Sequence, residues 1–167
     1  MLQQSPKRSK GALGAAEGAN HAVASQLRTT RLALLRRYPG HKFGPQSRLA
    51  PWMVRHAGWL MTRFQLKASG RTAYSAKRGR EYTREILEFA EQTLFYVSEA
   101  TGNGASVGKL MPRWHLGVWV GKTEQTDEHL ALTADGVKKA RSVRRIVDAD
   151  RWKPSVLDAV RGLPWNP

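Results

Sequence analysis

Cysteine is absent from all 167 residues. That excludes disulfides, thiol nucleophiles, cysteine-ligated zinc and iron–sulfur clusters in one step. Acid is nearly as scarce in the first half, where residues 1–80 hold a single carboxylate, Glu17, and no aspartate occurs before Asp127. The five histidines, His21, His41, His56, His115 and His129, are scattered without metal-ligand spacing. No apolar run approaches the ~18–20 residues of a membrane span, and no basic segment carries the bulky stripe of an interfacial helix. A membrane is therefore not an expected partner. Met1 to Lys10 is polar and basic and lacks the apolar core of a secretory leader. The expected location is the nucleus or cytoplasm, and secretion is not expected.

Positive charge is what the chain has in excess. Lys and Arg number 28 against 13 acids, for a net charge of +15 and a pI near 10.9. Hydrophobic residues make up 41%, enough for a folded core. The charge is one-sided: residues 1–80 carry 16 Lys and Arg against one acid, whereas residues 81–167 balance 12 against 12. A surface of this kind attracts polyanions, and nucleic acid is the commonest in a cell.

Periodicity divides the chain. Residues 1–14 read as a flexible basic leader. From Ala15 to about Arg37, Ala16, Asn20, Val23, Leu27, Leu34 and Tyr38 recur three to four apart, predicting a helix. Arg36 and Arg37 close it where the helix dipole favours cations, and Pro39-Gly40 stops it. Met53, Ala57, Leu60, Met61 and Phe64 predict a second helix over 50–66, with Pro51 in its first turn. Tyr74 to Gly79 reads as one short helical turn. After about Glu85 the period becomes two. Strands are predicted at Phe89–Val97, Arg113–Val120, Leu130–Thr133 and Val137–Val143, the last two joined at Asp135-Gly136. Alternation puts Trp114, Leu116, Val118 and Val120 on one face, so Trp114 is expected in the core and Trp119 opposite it. Lys138, Lys139, Arg141, Arg144 and Arg145 are expected along one hairpin arm. Ser155-x-x-Asp158 has the form of a capping box opening a short terminal helix. The expected fold is α+β, with helices over 15–84, a small antiparallel β-barrel over 85–150 and a tail over 151–167.

Three stretches in order carry a family resemblance: Ala15-Ala16-Glu17-Gly18-Ala19-Asn20 with Gln26-Leu27-Arg28-Thr29; Pro51-Trp52-Met53-Val54-Arg55-His56-Ala57-Gly58-Trp59-Leu60 with Gly70-Arg71-Thr72-Ala73-Tyr74; and Arg113-Trp114-His115-Leu116-Gly117-Val118-Trp119-Val120-Gly121-Lys122 with Asp127-Glu128-His129 and Ala140-Arg141-Ser142-Val143-Arg144-Arg145. From about Gly14 to Trp152 the chain resembles the C-terminal part of a copia-like retrotransposon integrase, encoded in a retrovirus-related Pol polyprotein. The resemblance implies that 15–84 is a remnant of a ribonuclease H-like catalytic core. It also implies that the β-rich part is an SH3-like barrel that contacts DNA. Glu17 then corresponds to the third acid of the aspartate-aspartate-glutamate set that binds two Mg²⁺ or Mn²⁺ ions for strand transfer. The other two acids and the leading zinc-binding segment are absent here, so the isolated chain is expected to need no cofactor and to be catalytically incomplete. On spacing alone, Glu17 also reads as an ordinary acid at a helix N-terminus.

The nucleic-acid contacts expected are Arg28, Arg31, Arg36, Arg37, Lys42 and Arg48 from the helical part, with Lys138, Lys139, Arg141, Arg144 and Arg145 from the β part. DNA is the expected partner, with RNA as the alternative and integrase-like chains as oligomer partners. A small cellular chromatin- or RNA-binding adaptor is the competing reading. An active enzyme would need its missing acids from another chain. His56, His115, and His129 read as packing residues, and Thr72, Tyr74 and Arg80 as a structural turn.

Overall fold

The computed structural model describes residues 14–97 and 112–165. All of the expected leader except Gly14 lies outside them. Helix α1 runs Gly14–Arg37, α2 Ala50–Phe64 and α3 Ala73–Arg78. Strands β1 (Gln92–Tyr96), β2 (Trp114–Lys122), β3 (His129–Thr133), β4 (Gly136–Ala140) and β5 (Val143–Arg145) follow, then α4 (Pro154–Ala159). The architecture is α+β.

Only the C-terminal half of α1 is packed. Ala16 and Asn20, expected on its apolar stripe, are exposed, while Leu34 and Tyr38 are buried. The first turns are rich in Ala and Gly, whose small side chains offer little area to bury. Tyr38, just past the helix end, donates from its hydroxyl to the Ala90 carbonyl (2.8 Å) and meets Trp152 edge to face at 5.7 Å. Burial pushes its pKa up to about 12. Helix α2 has Pro51 in its first turn and buries Trp52, Met53, His56, Ala57 and Trp59. Thr72 caps α3 by accepting from the Ser75 amide at 2.9 Å, and Gly79 closes it with φ +74°, which Cβ-bearing residues adopt at a cost.

The five strands form one antiparallel sheet in the order β4-β3-β2-β1-β5. The expected closed barrel is not what the pairing shows, because β4 and β5 are the two edges of an open sheet. The first strand begins at Gln92 and not Phe89, since Ala90 takes φ +64° and turns the chain before the ladder starts. The last expected hairpin arm is also divided. Residues 136–140 pair with β3, the chain turns at Arg141-Ser142, and Val143–Arg145 pairs with β1.

That division bends the sheet. Laid flat, four spacings of ~4.8 Å would part the edges by about 19 Å. Ala140 and Val143 are three residues apart, and three Cα steps reach about 11 Å at most. The sheet must coil, and Phe95, Ala131 and Ala140 from three different strands accordingly meet in one cluster with Val97 and Val143. Gly117 sits inside this curl, where an added Cβ would lie 2.9 Å from Phe95 and 3.1 Å from Ala131.

The larger core joins helices to sheet: Leu34, Tyr38, Leu49, Trp52 and Met53 pack with Val118, Val120, Leu130, Leu132, Leu157 and Val160. Hydrophobic packing thus crosses the boundary at residues 84–85. The tail completes it, with Trp52 Nε1 donating to the Gly162 carbonyl at 3.1 Å and Arg48 donating to that of Val160. The expected capping box at Ser155 is not formed. Lys153 is the N-cap without a side-chain bond, Pro154 occupies the first turn, and Asp158 instead pairs with His41 at 3.0 Å.

Candidate nucleic-acid interface

Arg28 and Arg31, one turn apart on α1, lie on the same side of the helix and are exposed. Arg31 Nε donates to the Phe43 carbonyl at 2.8 Å, which ties the loop carrying exposed Lys42 to this side of α1. Both arginines rim a groove of about 760 Å³ between α1 and α2, floored by Leu27, Phe43, Met53 and Val54 and flanked by Trp165, which is 71% exposed. Arg36 and Arg48 are exposed as well.

Arg37 behaves differently. It projects half a turn away from Arg28 and makes a two-pronged pair with Glu88 (3.0 and 2.9 Å), with its guanidinium 4.7 Å from the Trp152 ring. The Glu88 hydrogen bond raises its pKa. Arg145 is similarly engaged, 3.3 Å from buried Glu91 and 3.9 Å from Glu85. Glu91 also takes Arg151 at 3.6 Å, so one buried carboxylate is answered by two guanidinium groups. Arg37 and Arg145 therefore serve the fold first.

Lys138 and Lys139 are exposed on the β4 edge and, by alternation, on opposite faces of it. Arg141 is exposed in the turn, 3.7 Å from Glu128. Arg144 belongs to the other edge, its guanidinium 4.3 Å from the centre of the Trp114 ring. The structure thus separates what the sequence placed on one arm.

Trp114, expected in the core, is not fully buried, and it is Trp119 on the opposite face that is. Trp119 is 0% exposed, lies edge-on to His56 at 5.4 Å and donates from Nε1 to His129 Nδ1 at 3.0 Å. Trp114 is half-buried, and Leu116 on the same face is 43% exposed. Alternation defined the faces correctly, but Trp119 is enclosed by His56 of α2 and by His129, and a register shift between Trp119 and Gly121 lets both sides bury at that end. Beside Trp114, Tyr96 lies 5.4 Å away, and its hydroxyl accepts from Arg113 at 3.1 Å. The spacing of aromatics in β1 was visible in the sequence. Their pairing with Arg113 was not, because it depends on strand register.

His56 is buried between Trp59, Phe89 and Trp119, and burial holds its pKa down at about 4. His129 is held at about 4, first by burial and then by nearby Lys122. Both are packing residues, as expected, whereas His115, also expected to pack, lies exposed against Phe95 because, among the described residues, its face of β2 is open at that end. Arg63 is buried beside Trp59, Tyr74 and Tyr82 and pairs with Glu124 at 3.1 Å. Lys122, Tyr82 and Asp127 form a second partly buried link, with Tyr82 donating to Asp127 at 2.9 Å.

Glu17 is exposed in the first turn of α1. Among the described residues, no group of three or more His, Asp or Glu is placed to hold a metal ion. A single exposed carboxylate does not fit a two-metal centre, which needs several ligands in one rigid shell. No helix among the described residues is long and apolar enough to cross a membrane. No protein-family model, curated protein or solved structure matches the chain.

Proposed function

We propose that this chain is a nucleic-acid-binding piece of a copia-like integrase. In this reading α1–α3 are the remnant of a ribonuclease H-like core, and the coiled sheet is an SH3-like barrel left open. The two-residue link between β4 and β5, which forces the sheet to curl, supports the barrel reading. The observation that carries nucleic-acid binding is the one-sided charge: 16 cations and one acid in residues 1–80, with Arg28, Arg31, Arg36, Lys42 and Arg48 all on the surface. Glu17 would serve as a Mg²⁺ or Mn²⁺ ligand only beside carboxylates from another chain, and no chemical step is assigned to it here.

The test is the salt dependence of binding to duplex DNA. Each phosphate contact contributes a log–log slope of about −0.9 through counterion release. Arg28→Ala with Arg36→Ala should make the slope shallower by up to about 2, with little change in preference among duplex sequences. Arg37→Ala should move it little, since Glu88 already neutralises that cation. A flat salt dependence in the unmodified protein refutes the reading.

The adaptor reading has one observation in its favour, the apolar groove rimmed by Arg28 and Arg31. It requires a protein ligand that binds more tightly than DNA at physiological salt.

A further inference from the structure

Among the described residues, one face of the sheet is only half covered. Residues directly opposite each other in an antiparallel ladder share a face. Tyr96 faces Trp114, Leu94 faces Leu116, and Leu94 on its other side faces Arg144. These five side chains therefore lie together on the face that continues to Gln92, Val118 and Leu132. At that far end the core of α1, α2 and α4 buries the sheet completely. At the near end, among the described residues, that cover stops, and Trp114, Tyr96 and Leu94 are half-buried while Leu116 and Arg144 are exposed.

Charge and shape at the open end agree on the occupant. None of the β1, β2 or β5 residues on this face is a carboxylate, while Arg144 stands over the indole and Arg113 bonds the neighbouring phenol. We propose that Trp114 is a stacking site for an unpaired nucleobase of single-stranded nucleic acid, with Arg144 taking an adjoining phosphate. This rests on the nucleic-acid reading above and makes it more specific. The ring face that holds a guanidinium also suits a base, since both are flat and complementary to the indole π system. As a base arrives, Arg144 exchanges its contact with the ring for a charge-assisted hydrogen bond to phosphate. Base pairs inside duplex DNA cannot use the site, because their faces are stacked on each other.

The experiment compares two fluorescein-labelled probes on the full chain, an oligothymidylate of about 20 nucleotides and a duplex of equal length, by anisotropy. Trp114→Leu, which keeps an apolar cover but removes the π face, should weaken oligothymidylate binding about fivefold or more and leave duplex binding within about twofold. Trp114→Phe should retain most of the affinity for oligothymidylate, and both variants should keep the far-UV spectrum of the parent. Equal losses on the two probes, or no loss on oligothymidylate, overturns the stacking site. Duplex binding with the expected salt slope beside that result leaves the broader reading standing. If the unmodified chain binds neither probe, both fall together.

Discussion

Two histidines give this protein a pH dependence that its excess of cations does not suggest. His56 and His129 titrate near 4 in the folded chain against about 6.5 when unfolded. Burial is the main cause in both. Between those values the unfolded chain binds protons that the folded chain refuses, so stability is complete above about pH 6.5 and declines as the pH falls toward 4. Each histidine contributes a slope of up to about 1.4 kcal/mol per pH unit. Urea midpoints should hold level from pH 8 to 7 and drop between 6.5 and 5, before most carboxylates protonate. His56→Phe should roughly halve that slope whatever it does to the midpoint at neutral pH. An unchanged slope would mean that His56 is not held neutral by its surroundings. The neutral form of His129 has a second purpose, since its Nδ1 must accept from Trp119, whose indole can only donate.

At the level of elements, the curl of the sheet is the feature on which most depends. It arises where a single chain direction, β4 into β5, is forced across a two-residue turn, and Gly117 is the residue that gives it room. Glycine weakens a strand in general, so replacing it by alanine would ordinarily help. Here the new methyl would meet the Phe95 ring at 2.9 Å and the Leu132 carbonyl at 3.1 Å. Gly117→Ala should therefore destabilise by about 1–3 kcal/mol, the usual cost of overpacking, as measured by urea unfolding. A gain in stability would show that the strands are not so tightly coiled. Gly18 is the contrast, because a Cβ there meets nothing within 4 Å. Gly18→Ala should deepen the helical circular dichroism signal, by favouring an exposed helical turn by up to about 1 kcal/mol, with little effect on the unfolding midpoint of the core.

For the whole molecule, the shared core has a direct consequence. Leu34 and Tyr38 next to α1's end, Trp52 and Met53 of α2, Val118 and Val120 of β2, and Leu157 and Val160 of the tail pack as one cluster. The Tyr38–Ala90 and Arg48–Val160 hydrogen bonds stitch the same parts together across 52 and 112 residues of the chain. Far-UV circular dichroism and tryptophan fluorescence should report one coincident urea transition, the mark of a single cooperative unit. Expressed separately, residues 1–84 and 85–167 should not fold. Two resolved transitions, or a folded fragment, would show that helices and sheet are independent despite their contacts.

Much of this molecule is local, and the sequence alone determined it. The helices α1 and α2 follow from apolar spacing and Pro51, α3 from the short turn read over Tyr74 to Gly79, the strands from period two, and the β3–β4 hairpin from Asp135-Gly136. The polarity of charge is simple composition. Tertiary structure decided everything that depends on which surface covers which. Alternation could place Trp114 and Trp119 on opposite faces, but only the fold enclosed Trp119 between His56 and His129 and left Trp114 beside Arg144. Charge counting grouped the cations, but only the fold paired Arg37 with Glu88 and Arg145 with Glu91 while leaving Arg28 and Arg36 exposed and Arg144 over Trp114. Periodicity repeats over a few residues, whereas register, coiling and cover join residues far apart in the chain, and no local pattern encodes those distances.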